Sequence, residues 1–109
     1  MSKSLPLDGL VVSLRALRLL ATDFGHLPAP AVHLSNIFPN RLELSLHDDL
    51  AEFEAWRDAL GIAPDAVKHS TQSSGRTRVL RVSVEYAGAE LELVGFAPVP
   101  DPATAEVPV

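Results

Sequence analysis

Two stretches near the C-terminal end of the chain, Arg78–Tyr86 and Ala89–Ala97, alternate between apolar and polar side chains. Such alternation with a period of two is typical of a β-strand with one buried face. The two residues between them, Ala87 and Gly88, fit a tight hairpin turn, because glycine readily adopts the positive φ that such a turn needs. The sequence therefore predicts an antiparallel hairpin, and other parts of the chain have to cover its apolar face.

The same turn determines which side chains face each other across the hairpin. It places Val84 opposite Leu91 and Val82 opposite Leu93, which makes one face apolar. The opposite face is polar and carries Arg81, Ser83, Glu85, Glu90 and Glu92. We therefore expect one face of this hairpin to be buried and the other to be solvated.

A second hairpin is predicted upstream, between Ala31–Ile37 and Arg41–His47. The later segment alternates strictly, with three leucines on one face. The Pro-Asn dipeptide between the two segments is a favourable turn centre. Registers with Leu34 opposite Leu44 or Leu46 keep both apolar sets on the same face.

The first helix is predicted to begin at a cap on Ser4 and to end at Gly25. Its apolar stripe, at spacings of three and four, contains Leu10, Leu14, Leu17, Ala21 and Phe24. Val12 and Leu19 lie off this stripe, so the helix is apolar over a wider surface than one packing contact needs. Either the sheet or a second copy of the protein has to cover these two residues, which makes them the candidate interface residues.

The second helix is expected between an acidic N-cap, Asp48 or Asp49, and Gly61. Glu52 follows Asp49 by three residues, which is the spacing of a capping box. The buried face of this helix contains Leu50, Phe53, Trp56 and Leu60. We expect the two aromatic side chains of this face to contribute most to the core.

With a further short strand at Val67–Gln72, the predicted element order is α-β-β-α-β-β-β. One arrangement buries every apolar face: a two-layer α+β sandwich, with two helices packed on one face of a four- to five-stranded antiparallel sheet. Antiparallel pairing is expected because most connections between the strands are short. Residues 1–97 are predicted to form this single domain. Residues 98–109 contain four prolines and are predicted to be a flexible tail.

The composition excludes several classes of function. The 109 residues include no cysteine, which excludes disulfides, thiolate zinc sites and cysteine nucleophiles. The formal net charge is −5, which disfavours non-specific binding to nucleic acid. No apolar run is long enough to cross a membrane, and we expect no signal peptide at the start of the chain. We therefore expect a cytoplasmic protein, and the preference for arginine over lysine indicates a GC-rich bacterial genome.

His33 and His47 are the candidate metal ligands, because the predicted hairpin places both on its outer face. Asp48 and Asp49 follow directly and supply carboxylates. A zinc site needs three or four converging ligands, however, and the two acids already have a role as helix caps. The same capping role argues against these acids, together with Glu52, as general acid–base groups. Exposed histidines on a polar face are the simpler interpretation, and no cofactor is expected.

The polar stretch Ser70–Arg78 is the candidate anion-binding segment, because its hydroxyl groups and arginines suit a phosphate or carboxylate. The candidate residues are Ser74, Arg76, Arg78 and Arg81. The segment lacks the glycine spacing of phosphate-binding loops, so a solvated hairpin loop is the simpler interpretation. The three arginines also form the only local basic cluster, but no aromatic residue is interleaved with them for base stacking.

These patterns favour a non-enzymatic interaction protein, an accessory or regulatory subunit whose partner is a protein and which associates with itself. No G-x-S-x-G turn is present, and the sequence places no histidine beside a plausible serine nucleophile. The alternative is a small-molecule or anion-binding domain, or a minor enzyme, that uses the Arg76/Arg78 loop or the His33/His47 face. Binding of nucleic acid through the arginine cluster is a weaker alternative.

Overall fold

The computed structural model describes residues 4–47, 49–72 and 74–99. The helices are α1 (Val11–Asp23) and α2 (Leu50–Ala59), and short 3-10 turns at Leu7–Leu10 and Pro64–Ala66 precede α1 and the third strand. The strands are β1 (Ala31–Leu34), β2 (Arg41–Leu46), β3 (Lys68–Gln72), β4 (Thr77–Tyr86) and β5 (Ala89–Pro98). The α+β class and the predicted order of helices and strands are confirmed.

All five strands form one sheet in the order β1-β2-β5-β4-β3. The neighbouring strands are antiparallel except for β2 and β5, which run parallel. The prediction of a wholly antiparallel sheet is therefore wrong. The reason is α2, which returns the chain along the sheet after β2, so that β3 again runs in the direction of β2. Two hairpin reversals later, β5 has that direction as well.

The two parallel strands begin at the same end of the sheet. The backbone N–H of Glu90 donates to the carbonyl oxygen of Asn40 at 2.8 Å, directly before the pairing starts. From there the leucines of β2 face those of β5, beginning with Leu42 opposite Leu91. These leucines are almost completely buried, because α1 and α2 cover this central pair of strands.

The two predicted hairpins form, but only one has the predicted register. The β4–β5 hairpin pairs its side chains as expected. In the β1–β2 hairpin, Leu34 lies opposite Leu42, so the prediction of Leu44 or Leu46 as its partner is wrong. The difference is an even number of residues, and the apolar side chains therefore stay on the helix-facing side of the sheet.

The loop between β1 and β2 is longer than predicted, because β1 ends at Leu34 and not at Ile37, and one serine organises the residues that follow. The Ser35 hydroxyl oxygen accepts the backbone N–H groups of Ile37 at 3.0 Å and Phe38 at 3.4 Å. The N–H of Arg41 then donates to the carbonyl of Phe38 and closes the turn. Local side-chain bonds of this kind compete with an extended strand, so β1 ends at Leu34.

Helix α1 faces the sheet with only one edge of the predicted stripe, from which Leu17 and Phe24 pack against the core. Its buried residues are Ser13, Ala16 and Leu20, which turns the helix by roughly 80° relative to the predicted stripe, at 100° per residue. The small side chains of Ser13 and Ala16 let the helix lie close to the strands. In addition, Ser13 Oγ donates to the carbonyl of Pro39 at 2.7 Å and ties the helix to the β1–β2 loop.

The ends of α1 also differ from the prediction. Ser4 does not cap the helix, because the chain enters it through the 3-10 turn, which has no side-chain cap. Gly25 does not have a positive φ. A Cβ atom at Gly25 would lie 2.7 Å from the carbonyl oxygen of Ala21, so this position needs glycine for close approach to the helix end.

Helix α2 follows its prediction closely. The Asp49 side chain accepts the N–H of Ala51 at 2.9 Å, and Gly61 leaves the helix with a φ of 72°. The alternative cap, Asp48, lies outside the described residues. Phe53 and Trp56 are buried between the helices and the sheet, where they join the main core.

The C-terminal end of the described chain stays on the sheet. Strand β5 extends to Pro98, which pairs with Thr77, and the N–H of Val99 donates to the carbonyl of Arg76 at 2.8 Å. The body therefore includes Val99, and the rest of the predicted tail lies outside the described residues.

Candidate functional site

The outer face of the sheet, on the side away from the helices, brings His33 and His47 together around one serine. Ser45 Oγ in β2 lies 3.4 Å from Nε2 of His33 and 3.1 Å from Nε2 of His47. The serine is buried, whereas both histidines are exposed. Because a hydroxyl group both donates and accepts, Ser45 can bridge two neutral imidazoles in complementary tautomers. We call these three residues the His–Ser–His cluster.

One ring of the cluster has a second contact. The imidazole of His47 stacks on the ring of Phe96 in β5, with 4.7 Å between the centroids and 6° between the planes. A face-to-face contact and a hydrogen bond together hold this ring in a defined orientation. The position of His47 therefore depends on β5, which is far from it in sequence.

The charged side chains of the same face pair across neighbouring strands. Arg41 Nε of β2 lies 2.7 Å from a carboxylate oxygen of Glu90, and Arg81 of β4 lies 2.6 Å from one of Glu92. Glu92 is nearly buried, with 11% of its side chain exposed. Its carboxylate needs this partner, because an unpaired charge at such a site is costly.

The metal hypothesis gains two converging imidazoles but no third ligand. The part of the chain that the structure describes has no group of three or more His, Asp or Glu side chains arranged to hold a metal ion. Asp48 lies outside that part, and the Asp49 carboxylate is engaged as the cap of α2. Two imidazoles alone make a weak site, since zinc binds three or four protein ligands.

Ser45, which lies beside both histidines, was not among the predicted site residues. The signal was present: His47 follows Ser45 by two residues, and such residues share one face of a strand. The arrangement nevertheless differs from that of a serine hydrolase. Ser45 Oγ is buried, and β2 pairs with strands on both sides, which engages the backbone N–H groups that would have to stabilise an oxyanion.

The arginine segment does not form one binding surface. Arg78 and Arg81 lie three positions apart in β4, so their side chains leave opposite faces of the sheet. Arg81 is paired with Glu92. Ser74 and Arg76 are exposed in the turn between β3 and β4, where Ser74 has a φ of 59°. The strand period thus separates residues that are close in sequence.

The two candidate interface residues have different environments. Val12 is partly buried and packs against the core, next to the β4–β5 turn at Gly88. Leu19 is 39% exposed. Leu19 belongs to a group of large apolar side chains that the fold leaves exposed. We call this group the N-terminal apolar surface: Leu5, Leu7, Val11, Leu14, Leu19, Val32, Ile37 and Phe38.

An apolar cavity of about 260 Å³ opens beside Trp56, between the end of α1 and the segment that leads into β1. The indole of Trp56 forms one wall of the cavity. Its N–H donates to the carbonyl of Pro28 at 2.8 Å. The other lining residues include Leu17, Ala21 and Ala29. None of the described residues that line the cavity is charged, so these residues suit an apolar group and not an anion or a metal ion.

The fold raises the pKa of the Tyr86 phenol. Burial raises the pKa of its phenol, and the hydrogen bond that it donates to the Asp23 carboxylate at 3.1 Å raises this pKa further. The ring also lies 6.3 Å from that of Phe24. Tyr86 therefore joins the end of α1 to β4 and serves the fold.

Within the described ranges, neither helix has the length and apolar character needed to span a membrane. Comparisons with protein-family models, with curated proteins and with solved structures give no match for this chain.

Proposed function

We propose that the protein is a non-enzymatic interaction subunit that associates with itself. The observation that carries this proposal is the N-terminal apolar surface. All eight of its side chains come from residues 5–38, so they lie on α1 and the residues before it, on β1 and on the loop after β1. Single exposed apolar residues are normal, but a concentration in one part of a fold indicates a surface that another protein covers.

The degree of exposure supports the same proposal. Leu7 and Ile37 are each 75% exposed, and Phe38 is 54% exposed with the Arg41 guanidinium over its ring. Removing such surface from water stabilises a complex by about 25 cal/mol per Å² of apolar area. Several of these side chains buried together therefore supply a substantial driving force for association.

The polar groups of the sheet support a role without catalysis. Arg41 and Arg81 are paired with glutamates, and Ser45 bridges two histidines. Among the residues that the structure describes, every buried side-chain nitrogen or oxygen has a hydrogen-bond partner. A catalytic group needs a reacting partner within reach and not a closed set of internal bonds. We infer an accessory or regulatory role in a bacterial cytoplasm for such a subunit.

The test is the mass of the protein in solution. Light scattering coupled to size exclusion, from low to high micromolar concentration, should give at least twice the monomer mass of 11.7 kDa. A monodisperse monomer at high micromolar concentration would overturn the proposal. A charge substitution that tests the interface must leave the fold undisturbed. Val12 packs against the core and is therefore unsuitable, whereas Leu19 is exposed, so Leu19→Glu leaves the core intact.

A second candidate function is binding of a small ligand at the His–Ser–His cluster, because two exposed imidazoles converge there. A thermal-shift screen with zinc, nickel, nucleotides and anionic metabolites tests it, with His33→Ala and His47→Ala as controls. A ligand at 100 times its dissociation constant stabilises the fold by about 2.7 kcal/mol. A flat screen removes this candidate and the Arg76/Arg78 anion hypothesis together. A gel shift at low salt tests the weaker nucleic-acid alternative.

A further inference from the structure

We propose that two copies of the chain associate through the open edge of β1, with the two β1 strands antiparallel and the two sheets continuous. This inference rests on the proposed self-association and specifies its surface. The sheet of the described residues has two edges, β1 and β3, and within these residues each edge presents backbone N–H and C=O groups without a partner strand. The two edges differ in ways that favour β1.

Strand β3 has the features of an edge protected against pairing. Its five residues, from Lys68 to Gln72, are all polar and exposed. Lysine and other polar residues at an edge oppose the addition of another strand. Strand β1, in contrast, contains no Lys, Arg, Asp or Glu, and its Val32 is 40% exposed. No charged side chain within β1 therefore opposes pairing.

The segment that carries β1 is also the neutral part of an acidic protein. The chain has 9 Lys and Arg and 14 Asp and Glu, with a net charge of −5. None of these charged residues lies in residues 24–40, which contain β1 and both of its flanking loops. Two copies of one chain bring identical charges to their contact surface, and like charges facing each other across an interface are costly. A contact surface without charged residues avoids this cost, so the charge distribution is compatible with a second copy as the occupant.

Four strand residues alone are too small an interface, and α1 supplies more surface. Leu17 and Ala21 line the cavity beside Trp56 together with residues 28–30, which lead into β1. Leu14 precedes Leu17 by three residues, so it lies on the same flank of α1, and it is 38% exposed. A stable dimer buries about 800 Å² per partner, roughly a tenth of the 7315 Å² that the chain exposes. We expect the strand edge, this flank and the cavity mouth to contribute to such an area together.

The apolar side of the sheet and Pro30 determine the register. A two-fold axis perpendicular to the sheet keeps the helix-facing sides together only when residues of the same face lie opposite each other. Pairing centred on His33 places Val32 opposite Leu34 of the second copy and keeps Pro30, which has no N–H, outside the paired residues. We therefore expect His33 of one copy to lie opposite His33 of the other copy, on the outer face of the joined sheet.

The first experiment introduces one lysine at each edge. Val32→Lys and His69→Lys are matched, because each changes the second residue of an edge strand on the helix-facing side. Sedimentation should show that Val32→Lys raises the dimer dissociation constant roughly tenfold or more, while His69→Lys leaves it unchanged. Circular dichroism checks that both variants remain folded.

The second experiment reads the register without disturbing the apolar face. The chain has no cysteine, so a single introduced thiol reports one position only. Residues directly opposite each other in antiparallel strands have Cβ atoms about 4.5–5.5 Å apart. Under mild oxidation, His33→Cys should therefore form a disulfide-linked dimer quickly. Ser70→Cys, in the middle of β3 on the same face, should remain mostly monomeric.

The outcomes separate this inference from the proposed function. A dimer that survives Val32→Lys, or that cross-links no faster through His33→Cys than through Ser70→Cys, overturns the β1 edge and leaves self-association intact. Loss of the dimer in Leu19→Glu alone has the same meaning and moves the interface to the other flank of α1. If Val32→Lys unfolds, the cysteine result decides. A wild-type monomer overturns both proposals.

Discussion

Gly95 tests how closely α2 is packed on the central strand. It lies in β5 between Leu46 and Leu80, on the face that α2 covers. A Cβ atom at this position would lie 2.8 Å from Cδ2 and 3.0 Å from Cγ of Phe53. Phe53 is fully buried in the core. Gly95→Ala therefore forces either the ring or the helix to shift.

The size of the effect follows from two opposing contributions. Forcing one extra methyl group into a packed core costs about 1–3 kcal/mol. Replacing glycine by alanine inside a strand returns about 0.5–1 kcal/mol, because the unfolded chain loses conformational freedom. The expected net loss in the free energy of unfolding is about 1–2 kcal/mol, which is large for a single methyl group.

Urea denaturation followed by fluorescence of Trp56, the only tryptophan in the chain, measures this loss. A double-mutant cycle with Phe53→Ala isolates the contact. Phe53→Ala alone should cost about 3–5 kcal/mol. In that background the methyl group of Gly95→Ala enters the vacated space, so the same substitution should be neutral or stabilising. An unchanged midpoint for Gly95→Ala alone, or an equal loss in both backgrounds, refutes the packing argument.

Two further predictions follow from single side chains. Because the pKa of Tyr86 is raised in the fold, its contribution to stability is fully present below the unfolded phenol pKa of about 10 and is lost as the pH rises through the higher folded value. Tyr86 is the only tyrosine, so absorbance at 295 nm should show the ionisation of its phenol above pH 10. Tyr86→Phe should abolish this signal. A titration midpoint at or below pH 10 contradicts the burial argument. Asp49→Ala should lower the free energy of unfolding by about 1 kcal/mol, whereas Asp49→Asn should keep most of the wild-type stability, because its side-chain oxygen can still accept the N–H of Ala51. Urea denaturation measures both variants, and equal stability of the two would show that this cap bond is unimportant.

The parts of the fold that the sequence predicted well are those encoded by neighbouring residues. The turn at Gly88 defines the register of β4 and β5, because the two strands follow each other directly. Asp49 and Gly61 mark the ends of α2 through bonds and a φ angle that involve only adjacent backbone. At these positions the local signals agree with the tertiary structure, whereas the local signals at Ser4 and Gly25 do not define the ends of α1 as predicted.

The candidate site was predicted only in part, because some of its contacts join residues that are distant in sequence. The shared face of His33 and His47 followed from the strand period, and so did the link between His47 and Ser45, although it was overlooked. The stacking of His47 on Phe96 could not be predicted, because it requires β5 to lie beside β2.

By itself, the sequence determined the type, order and approximate ends of the helices and strands, because their signals are periodic or lie within a few residues. Only the tertiary structure decided that β5 runs parallel to β2, that α1 lies on Ser13 and Ala16, and that the apolar residues left exposed gather around α1 and β1. These features depend on which distant surfaces bury the most apolar area together at the closest approach. That comparison involves the whole molecule, and no local pattern contains it.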